Sequence, residues 1–223
     1  MDAYDLITTA DGSHTIYSHK FQAYYHSLHG ALAESEKIYI EYGLVPLLNN
    51  SKPIRIFELG FGTGLNTWLS LGVSLQNKLS IEYTSLEAFP LPSEIWNQLN
   101  YPVIKEIPDG KSLFSQIHLQ PWNSMKNVTE FFLLEKITCD WFNFSTEKTF
   151  DLVYFDAFGP SSHIEAWEMT SLEKLFHMMN TSGILLTFCA QGSFKRRLRE
   201  IGFEVVNLPG PKGKREITKA IKH

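Results

Sequence analysis

The chain has 223 residues, of which 43% are hydrophobic and 20% charged, and its formal net charge is -4. These values favour a single globular domain and exclude a disordered chain or a collagen-like fibre. No apolar run approaches the roughly 20 residues needed to cross a bilayer, and the acidic N-terminal segment does not resemble a secretory signal. Cys139 and Cys189 cannot form a disulfide framework, so we expect a protein of the reducing cytoplasm.

Charge is distributed unevenly along the chain. The segment from Lys195 to His223 carries a net charge of +6, whereas the preceding residues carry -10. A segregated basic segment can bind phosphate groups even when the whole protein is acidic. On charge alone, a basic segment that is merely solvated is an equally good interpretation.

Strands and helices alternate from residue 51 onwards, which predicts an α/β domain with a parallel sheet and helices on both faces. The predicted strands are Pro53–Leu59, Ile81–Glu87, Phe131–Thr138, Phe150–Phe155 and Ile184–Cys189, followed by an antiparallel pair, Phe203–Leu208 and Arg215–Ile221. The predicted helices are Leu65–Gln76, Glu165–Met179 and a basic helix from Gly192 to Gly202.

We therefore expect one domain over residues 1–223, with an N-terminal extension (1–50) and an α/β core (51–223). The extension is rich in tyrosine and histidine. Residues 93–129 contain three prolines and give no clear pattern, so they are interpreted as an insertion or a helix with a lid.

The loop after the first predicted strand carries the strongest functional signal, because Gly60, Gly62 and Gly64 follow one another in a G-x-G-x-G spacing. Glycines at a strand-to-helix turn let the backbone approach a ligand closely. The dinucleotide fingerprint is instead G-x-G-x-x-G, which presents a helix N-terminus to a pyrophosphate. A tight turn with purely structural glycines is the alternative.

This loop resembles motif I of class I S-adenosylmethionine-dependent methyltransferases. The resemblance implies a Rossmann-like core with a mostly parallel, seven-stranded sheet and a C-terminal antiparallel strand. It also implies S-adenosylmethionine as the cofactor. The cofactor contacts expected in this segment are Glu58, Gly60, Phe61, Gly62, Gly64 and Asn66.

Two further acidic positions support a nucleoside ligand. Glu87 ends the second predicted strand, where a carboxylate can accept hydrogen bonds from both ribose hydroxyls. NAD enzymes use the same device, and a plain surface carboxylate is the alternative. Asp140 follows the third strand and is predicted to accept from an adenine amino group, with Trp141 or Phe142 against the ring. A purely structural role is equally compatible with Asp140.

The fourth predicted strand leads into Asp156, and ligands of open α/β sheets bind beyond the carboxyl ends of the strands. The segment Asp156–Pro160 resembles the D/N-P-P-Y/F loop of methyltransferases that act on amino nitrogens. That resemblance implies Asp156 as the catalytic residue, with Phe158 and Pro160 against the substrate. A helix N-cap is the structural alternative for the aspartate.

Several motifs in order strengthen the resemblance and cover about residues 21–218. They are Tyr25–Leu44, Gly60–Asn66, Ser85–Leu91, Asp156–Pro160 and Gly213–Glu216. Together they are similar to the MnmD-type tRNA methyltransferases, which correspond to the methyltransferase domain of bifunctional MnmC. One departure is that the family more often reads D-G-F-A-P where this chain has Ala157 and Gly159 exchanged.

The resemblance implies methylation of 5-aminomethyl-2-thiouridine at the wobble position, in the anticodon loop of tRNA, to the 5-methylaminomethyl form. The chain carries no flavin-dependent oxidase segment, so we expect a monofunctional protein that depends on a separate enzyme for the free amine. An amine with a pKa of about 10.4 is almost entirely protonated at pH 7. We favour Asp156 as a residue that orients the neutral amine and accepts its proton.

Phosphate contacts are expected from the basic C-terminal segment, at Lys195, Arg196, Arg199, Lys214 and Arg215. Tyr24, Tyr25 and Phe158 are candidates for base stacking. No metal-ligand spacing accompanies His19, His26 or His29, so we expect no metal. Three alternatives stay open: methylation of a small-molecule amine, an NAD-dependent reductase, and a non-catalytic module that binds S-adenosylmethionine and positions RNA.

Overall fold

The structure is a computed structural model that describes residues 3–159 and 164–223. The N-terminal extension begins with a small antiparallel sheet of β1 (Tyr4–Thr8), β2 (His14–Ser18) and β3 (Ala23–Tyr24). A short helix α1 (Ala31–Ser35) continues as a π-helical segment, Glu36–Leu44, and ends in a 3-10 turn, Val45–Leu47.

The remaining residues form a second, larger sheet with helices between its strands. Its strands are β4 (Ile54–Leu59), β5 (Ile81–Glu87), β6 (Ser124–Asn127), β7 (Phe132–Thr138), β8 (Phe150–Phe155), β9 (Met179–Thr187), β10 (Phe203–Pro209) and β11 (Glu216–Lys222). The helices are α2 (Leu65–Asn77), α3 (Ser93–Trp96), α4 (Tyr101–Ile104), α5 (Gly110–Leu119), α6 (Met169–His177) and α7 (Gly192–Ile201), with a 3-10 turn at Ile164–Trp167.

The strand order is β10-β11-β9-β8-β4-β5-β7-β6. This confirms the α/β class, with the C-terminal strand β11 antiparallel to both of its neighbours. The sheet has eight strands where seven were predicted. The extra strand is β6, which pairs antiparallel with β7 at the edge of the sheet. It comes from residues 93–129, which otherwise contribute α3, α4 and α5.

One predicted helix was too long. The apolar spacing of residues 165–179 suggested a continuous helix, but α6 ends at His177 and Met179 begins β9. Met178 and Met179 are both buried, so the apolar pattern was real. The two methionines are buried beside the start of β8 and not on a helix face. There the Phe150 N–H donates to the Met178 carbonyl.

The central strands β4 and β8 are buried on both faces of the sheet, which explains why most of their residues are apolar. Successive side chains of a strand point to opposite faces. Along β8, Leu152 and Tyr154 join a core cluster with α2, α5 and the extension. Val153 and Phe155 join a second cluster with α6 and α7 on the other face.

The strand order reverses direction at β4, which pairs parallel with β5 on one side and with β8 on the other. A crevice therefore opens beyond the carboxyl ends of β4 and β8, where ligands of open α/β sheets bind. Gly60 follows β4 and Asp156 follows β8, so both residues emerge at this crevice. Among the residues that the structure describes, no helix is both long enough and apolar enough to cross a membrane.

Candidate active site

A cavity of about 350 Å³ lies at the crevice. Its walls come from the loops after β4, β5, β7 and β8, from the N-terminal extension, and from the turn between β10 and β11. We call the loops after β4, β5 and β7 the cofactor wall, because the sequence predicts cofactor contacts there. We call the lining from the extension, the loop after β8 and the β10–β11 turn the acceptor wall, because the sequence predicts substrate contacts there.

The glycine loop passes close to the strand beside it. Gly60 has a φ of +100°, and a Cβ atom there would lie 3.0 Å from the Asp156 carbonyl oxygen. Gly62 has a φ of +49°, and a Cβ atom would lie 3.0 Å from the ring of Tyr25. Both glycines line the cavity, as do Phe61 and Asn66. Gly64 is the N-cap of α2 and lies outside the cavity lining.

Glu87 lines the cavity in a fixed orientation. Its Oε2 accepts a hydrogen bond from the Gly62 N–H at 2.9 Å, and its Oε1 accepts one from the Phe89 N–H at 2.8 Å. The glycine loop and the end of β5 are therefore joined through this carboxylate. A carboxylate held in this way at a cavity wall suits the hydroxyl groups of a ribose.

Asp140 and Trp141 also line the cavity. The Asp140 carboxylate accepts the Phe142 N–H at 2.9 Å, which stabilises the turn after β7. Trp141 is only 3% exposed and packs on Phe57 and Phe144, so most of its ring belongs to the core. Phe142, the alternative ring partner, is half exposed and lies outside the cavity lining.

The structure does not bring Glu58 to the cavity, in contrast to the prediction of a cofactor contact. Glu58 is fully buried, and its Oε2 accepts hydrogen bonds from Ser85 Oγ at 2.6 Å and Thr67 Oγ1 at 3.2 Å. Burial raises the pKa of Glu58 to about 8. The G-x-G-x-G pattern marks where the loop lies but does not show that the side chain of the preceding acid points into the core.

Asp156 is held by two donors at the cavity. Tyr39 donates its hydroxyl to Oδ1 at 2.7 Å, and the Asn66 side-chain amide donates to Oδ2 at 2.7 Å. Burial raises the pKa of Asp156 to about 7, although these two hydrogen bonds oppose the shift. A carboxyl group with a pKa near neutrality is suited to proton transfer at neutral pH.

Sequence reasoning missed Tyr39. It lies in the π-helical segment of the extension and is buried against Tyr154. Its partner Asp156 is 117 residues away in the sequence. No local motif contains both residues, so only the structure reveals the contact.

Aromatic rings dominate the acceptor wall. Phe158 packs against Phe21 and Tyr25, with ring centroids 4.7 and 5.0 Å apart. Tyr24 lines the same cavity and is 44% exposed. The predicted substrate contact Pro160 lies outside the described residues.

A histidine and an ion pair complete the acceptor wall. His26 Nε2 is 2.7 Å from the Thr63 hydroxyl, and burial lowers the pKa of His26 to about 4, so its ring is neutral at pH 7. Lys214 donates to Glu34 Oε1 at 2.5 Å, and Glu34 Oε2 accepts the Ser27 N–H at 2.8 Å. This ion pair ties α1 of the extension to the β10–β11 turn.

The predicted phosphate contacts divide into three groups. Lys214 lines the cavity, whereas Arg196, Arg199 and Arg215 are exposed outside it. Lys195 requires a correction, because it is only 5% exposed and donates to Glu216 Oε1 at 2.8 Å. The amphipathic helix α7 turns this lysine inward, so it is unavailable to a phosphate.

A metal site finds no support among residues 3–159 and 164–223, which contain no group of three or more His, Cys, Asp or Glu side chains able to hold an ion. Of the histidines singled out above, His19 contacts Asp5 at 2.8 Å and His26 contacts Thr63.

Comparison with known proteins agrees with this geometry. A family model described as S-adenosyl-L-methionine-dependent methyltransferase matches residues 130–223. The crystal structure of MNMC2 from Aquifex aeolicus superposes with a TM-score of 0.80 at 22% identity, covering 99% of this chain and 70% of that chain. The Aquifex structure shows the same fold, and the C-terminal part of the chain is similar to S-adenosylmethionine-dependent methyltransferases.

The sequence itself resembles a particular protein. It is 29% identical to the tRNA 5-methylaminomethyl-2-thiouridine biosynthesis bifunctional protein MnmC of Pseudoalteromonas atlantica, over 97% of this chain and 33% of the relative. It is 27% identical to the MnmC of Cupriavidus necator, over 92% of this chain and 32% of the relative. The chain thus spans about a third of the length of these relatives. The resemblance inferred from the motifs is confirmed.

Proposed function

We propose that the chain transfers a methyl group from S-adenosylmethionine to the primary amine of 5-aminomethyl-2-thiouridine at the wobble position of tRNA. The observation that carries this proposal is the Asp156 carboxyl group, which is held by Tyr39 and Asn66 beside the glycine loop at the crevice. Similarity to MnmC over nearly the whole chain supports the choice of substrate.

The cofactor wall fits S-adenosylmethionine. Gly60 and Gly62 give a ligand close access to the backbone, and the fixed Glu87 carboxylate suits the ribose hydroxyls. Asp140 and the exposed part of Trp141 would contact the adenine. When bound, the cofactor supplies an activated methyl group on a sulfonium that is already a good leaving group.

Asp156 prepares the acceptor amine. Methylation requires an uncharged nitrogen with a free lone pair, and burial disfavours the ammonium form of an amine. Each oxygen of Asp156 already accepts one hydrogen bond, from Tyr39 or Asn66, so the carboxyl group keeps one orientation. It orients the neutral amine and accepts the proton that the nitrogen releases, and alignment supplies most of the remaining acceleration.

The acceptor wall suits a single, unstacked nucleotide. Bases of single-stranded RNA commonly stack on aromatic side chains, and Phe158, Phe21 and Tyr25 offer such a surface. The exposed residues Arg196 and Arg199 would contact phosphates at a distance from the cavity. Because the substrate must already carry a primary amine, we propose that a separate enzyme supplies the aminomethyl group.

The test is mass spectrometry of wobble nucleosides after incubation of the protein with S-adenosylmethionine and tRNA that bears the 5-aminomethyl group. We expect one added methyl group on that nucleoside, formed about 10²-fold or more slowly by an Asp156→Asn control. Transfer of radiolabel to small amines but not to tRNA would instead indicate a small-molecule methyltransferase. No transfer to any acceptor, despite cofactor binding, would indicate a non-catalytic RNA-positioning module.

A further inference from the structure

The acceptor wall contains an ion pair that is largely withdrawn from water. Lys214 of the β10–β11 turn donates to Glu34 Oε1 at 2.5 Å, and both residues line the cavity. Their side chains are 29% and 10% exposed, respectively. Removing two charges from water is costly, and their attraction offsets that cost only when further hydrogen bonds satisfy the remaining polar groups. A ligand group that meets both charges at once would supply such hydrogen bonds.

The contacts around the pair give it a defined position. Glu34 Oε2 accepts the Ser27 N–H at 2.8 Å, so each oxygen of the carboxylate is held by one donor. The turn that carries Lys214 packs tightly on the extension, because Gly213 lies against the ring of His29 with no room for a Cβ atom. Both charges are therefore fixed at the cavity wall.

The pair keeps unused hydrogen-bonding capacity. An ammonium group has three donors, and within the described residues Glu34 is the one hydrogen-bond partner of Lys214 Nζ. An ionised carboxylate has about four acceptor sites, and Glu34 fills one with Lys214 and one with Ser27. A donor and an acceptor therefore remain available side by side.

The pair acts electrostatically on the proposed proton acceptor. Burial is the largest influence on the pKa of Asp156 and raises it; the negative charge of Glu34 raises it further, and the positive charge of Lys214 lowers it. The same two charges act on the pKa of His26, where burial again dominates. Because such interactions weaken with distance, the pair lies near both residues.

The pair is also joined to the aromatic surface of the acceptor wall. Ser27, whose N–H binds Glu34, comes two residues after Tyr25, and the Tyr25 ring packs on Phe158 with centroids 5.0 Å apart. Phe158 in turn comes two residues after Asp156. A base stacked on these rings would therefore lie close to the ion pair and to Asp156.

The edge of a uracil base complements an ammonium group beside a carboxylate. Uracil presents the O4 acceptor next to the N3–H donor, so the ammonium group can donate to O4 while the carboxylate accepts N3–H. With cytosine, the ammonium group would face the N4 donor and the carboxylate would face the N3 acceptor. In a 5-aminomethyl base, the carbon that bears O4 is bonded to the carbon that bears the aminomethyl group, so one cavity can hold both groups.

We propose that Glu34 and Lys214 recognise the base of the methyl acceptor, with Lys214 donating to O4 and Glu34 accepting N3–H. The site thereby selects uracil over a cytosine that carries the same aminomethyl group. The proposal rests on the proposed function, because it assigns contacts to the acceptor of that reaction. It also gives Lys214 a base contact in place of the phosphate contact expected from the sequence.

The experiment compares two anticodon stem-loop RNAs that differ only in the wobble base, which is 5-aminomethyluracil or 5-aminomethylcytosine. Affinity is measured by calorimetry with S-adenosylhomocysteine present, so it does not depend on methyl transfer. We expect the wild type to bind the uracil RNA about 10- to 100-fold more tightly, as is typical of paired contacts to a base edge. In Lys214→Met and Glu34→Gln the two affinities should agree within a few-fold.

The matched controls are Lys105→Met and Glu36→Gln. Lys105 donates to Glu36 at 2.6 Å, and this second ion pair also joins the extension to another part of the chain, but outside the cavity lining. Both control variants should keep the wild-type preference for uracil. A pair that served only as a structural tether would not change the ratio of two affinities measured on one variant. Retention of the wild-type ratio in K214M and E34Q overturns the proposal.

A measurement on the wild type alone keeps the proposal testable if a variant does not fold. A stem-loop with 3-methyl-5-aminomethyluracil lacks the donor for Glu34 and should bind as weakly as the cytosine RNA. Equal affinity of the wild type for all three RNAs overturns the proposal.

Cofactor affinity distinguishes base recognition from another use of the pair, because the methionine part of S-adenosylmethionine also carries a carboxylate and an ammonium group. We expect K214M and E34Q to bind the cofactor as the wild type does. A loss of cofactor affinity as large as the loss for the uracil RNA overturns the proposal. If the wild type prefers uracil and the variants do not, but no methyl group is transferred, the proposed function fails while base recognition stands.

Discussion

The two walls of the cavity are built in different ways. The cofactor wall depends on backbone geometry, as in the Gly62 N–H that binds Glu87 across two neighbouring strands. The acceptor wall depends on side chains that meet over long distances in the sequence. Tyr39 reaches Asp156 across 117 residues, and Lys214 reaches Glu34 across 180. The proposed cofactor wall is thus built from the backbone of the sheet, whereas the proposed acceptor wall depends on side chains that can change without altering that fold.

The largest predicted effect is a loss of methyl-transfer rate without a loss of cofactor affinity. It would distinguish the role of the acceptor wall from that of the cofactor wall. Asp156→Ala removes the proposed proton acceptor, so we expect single-turnover methyl transfer to fall by about 10² or more, a typical general-base effect. Cofactor affinity, measured by calorimetry, should be nearly unchanged. Asp156→Asn is the shape-matched control and should be similarly slow, because an amide does not accept the proton. Near-normal turnover of either variant would remove Asp156 from the catalytic role.

A smaller effect is expected from a substitution in the cofactor wall, and it should change cofactor affinity rather than the rate of methyl transfer. Glu87→Ala removes the acceptor of the Gly62 N–H and the proposed hydrogen-bonding partner of the cofactor, so we expect cofactor affinity to fall roughly 10- to 100-fold. The rate at saturating cofactor should change much less. Calorimetric titration tests the first expectation and single-turnover kinetics the second. An unchanged affinity would show that Glu87 serves only to hold the loop.

Tyr39→Phe tests the extension's contribution to the acceptor wall. It removes one hydrogen bond to Asp156, so we expect a loss of roughly tenfold in rate. The hydroxyl stabilises the ionised carboxylate, so its removal should raise the pKa of Asp156 above its value of about 7. The rise of the rate with pH should then move to higher pH. An unshifted profile with a normal rate would mean that Tyr39 only fills space.

The smallest predicted effect is on tRNA binding by exposed arginines outside the cavity. Replacing both Arg196 and Arg199 with glutamate should weaken tRNA binding several-fold and flatten its dependence on salt, because fewer phosphate contacts release fewer counterions. Lys111→Glu with Lys126→Glu is the control, with the same change of charge at exposed positions on α5 and β6. Equal losses in the two double variants would indicate a general charge effect rather than a docking surface.

The sequence predicted the core better than the acceptor wall, and the reason is physical. Strands buried on both faces are apolar runs, and the glycines of the β4 loop are required by backbone geometry, so both leave local patterns. Asp156 was identified because it directly follows such a strand. The direction in which a side chain points leaves a weaker pattern in the sequence. For this reason Glu58 was assigned to the cofactor and Lys195 to a phosphate, although both side chains are buried.

Residues of the extension were harder still to predict. Tyr39 lies in a π-helical segment, to which the usual helical periodicity does not apply. Its role depends on a partner supplied by β8, and no spacing within the extension encodes that partner. The aromatic residues Tyr24, Tyr25 and Phe158 were recognised as candidates, but only their positions in space show that all three line one cavity.

The ion pair between Lys214 and Glu34 has a consequence for folding. Contacts between residues far apart in the sequence carry a large loop-closure cost and tend to slow folding. A molecule whose large sheet has assembled, but whose extension has not yet met the β10–β11 turn, would already possess the glycine loop and Glu87. Such a molecule would have the proposed cofactor wall but would lack the ion pair that joins the two parts of the acceptor wall.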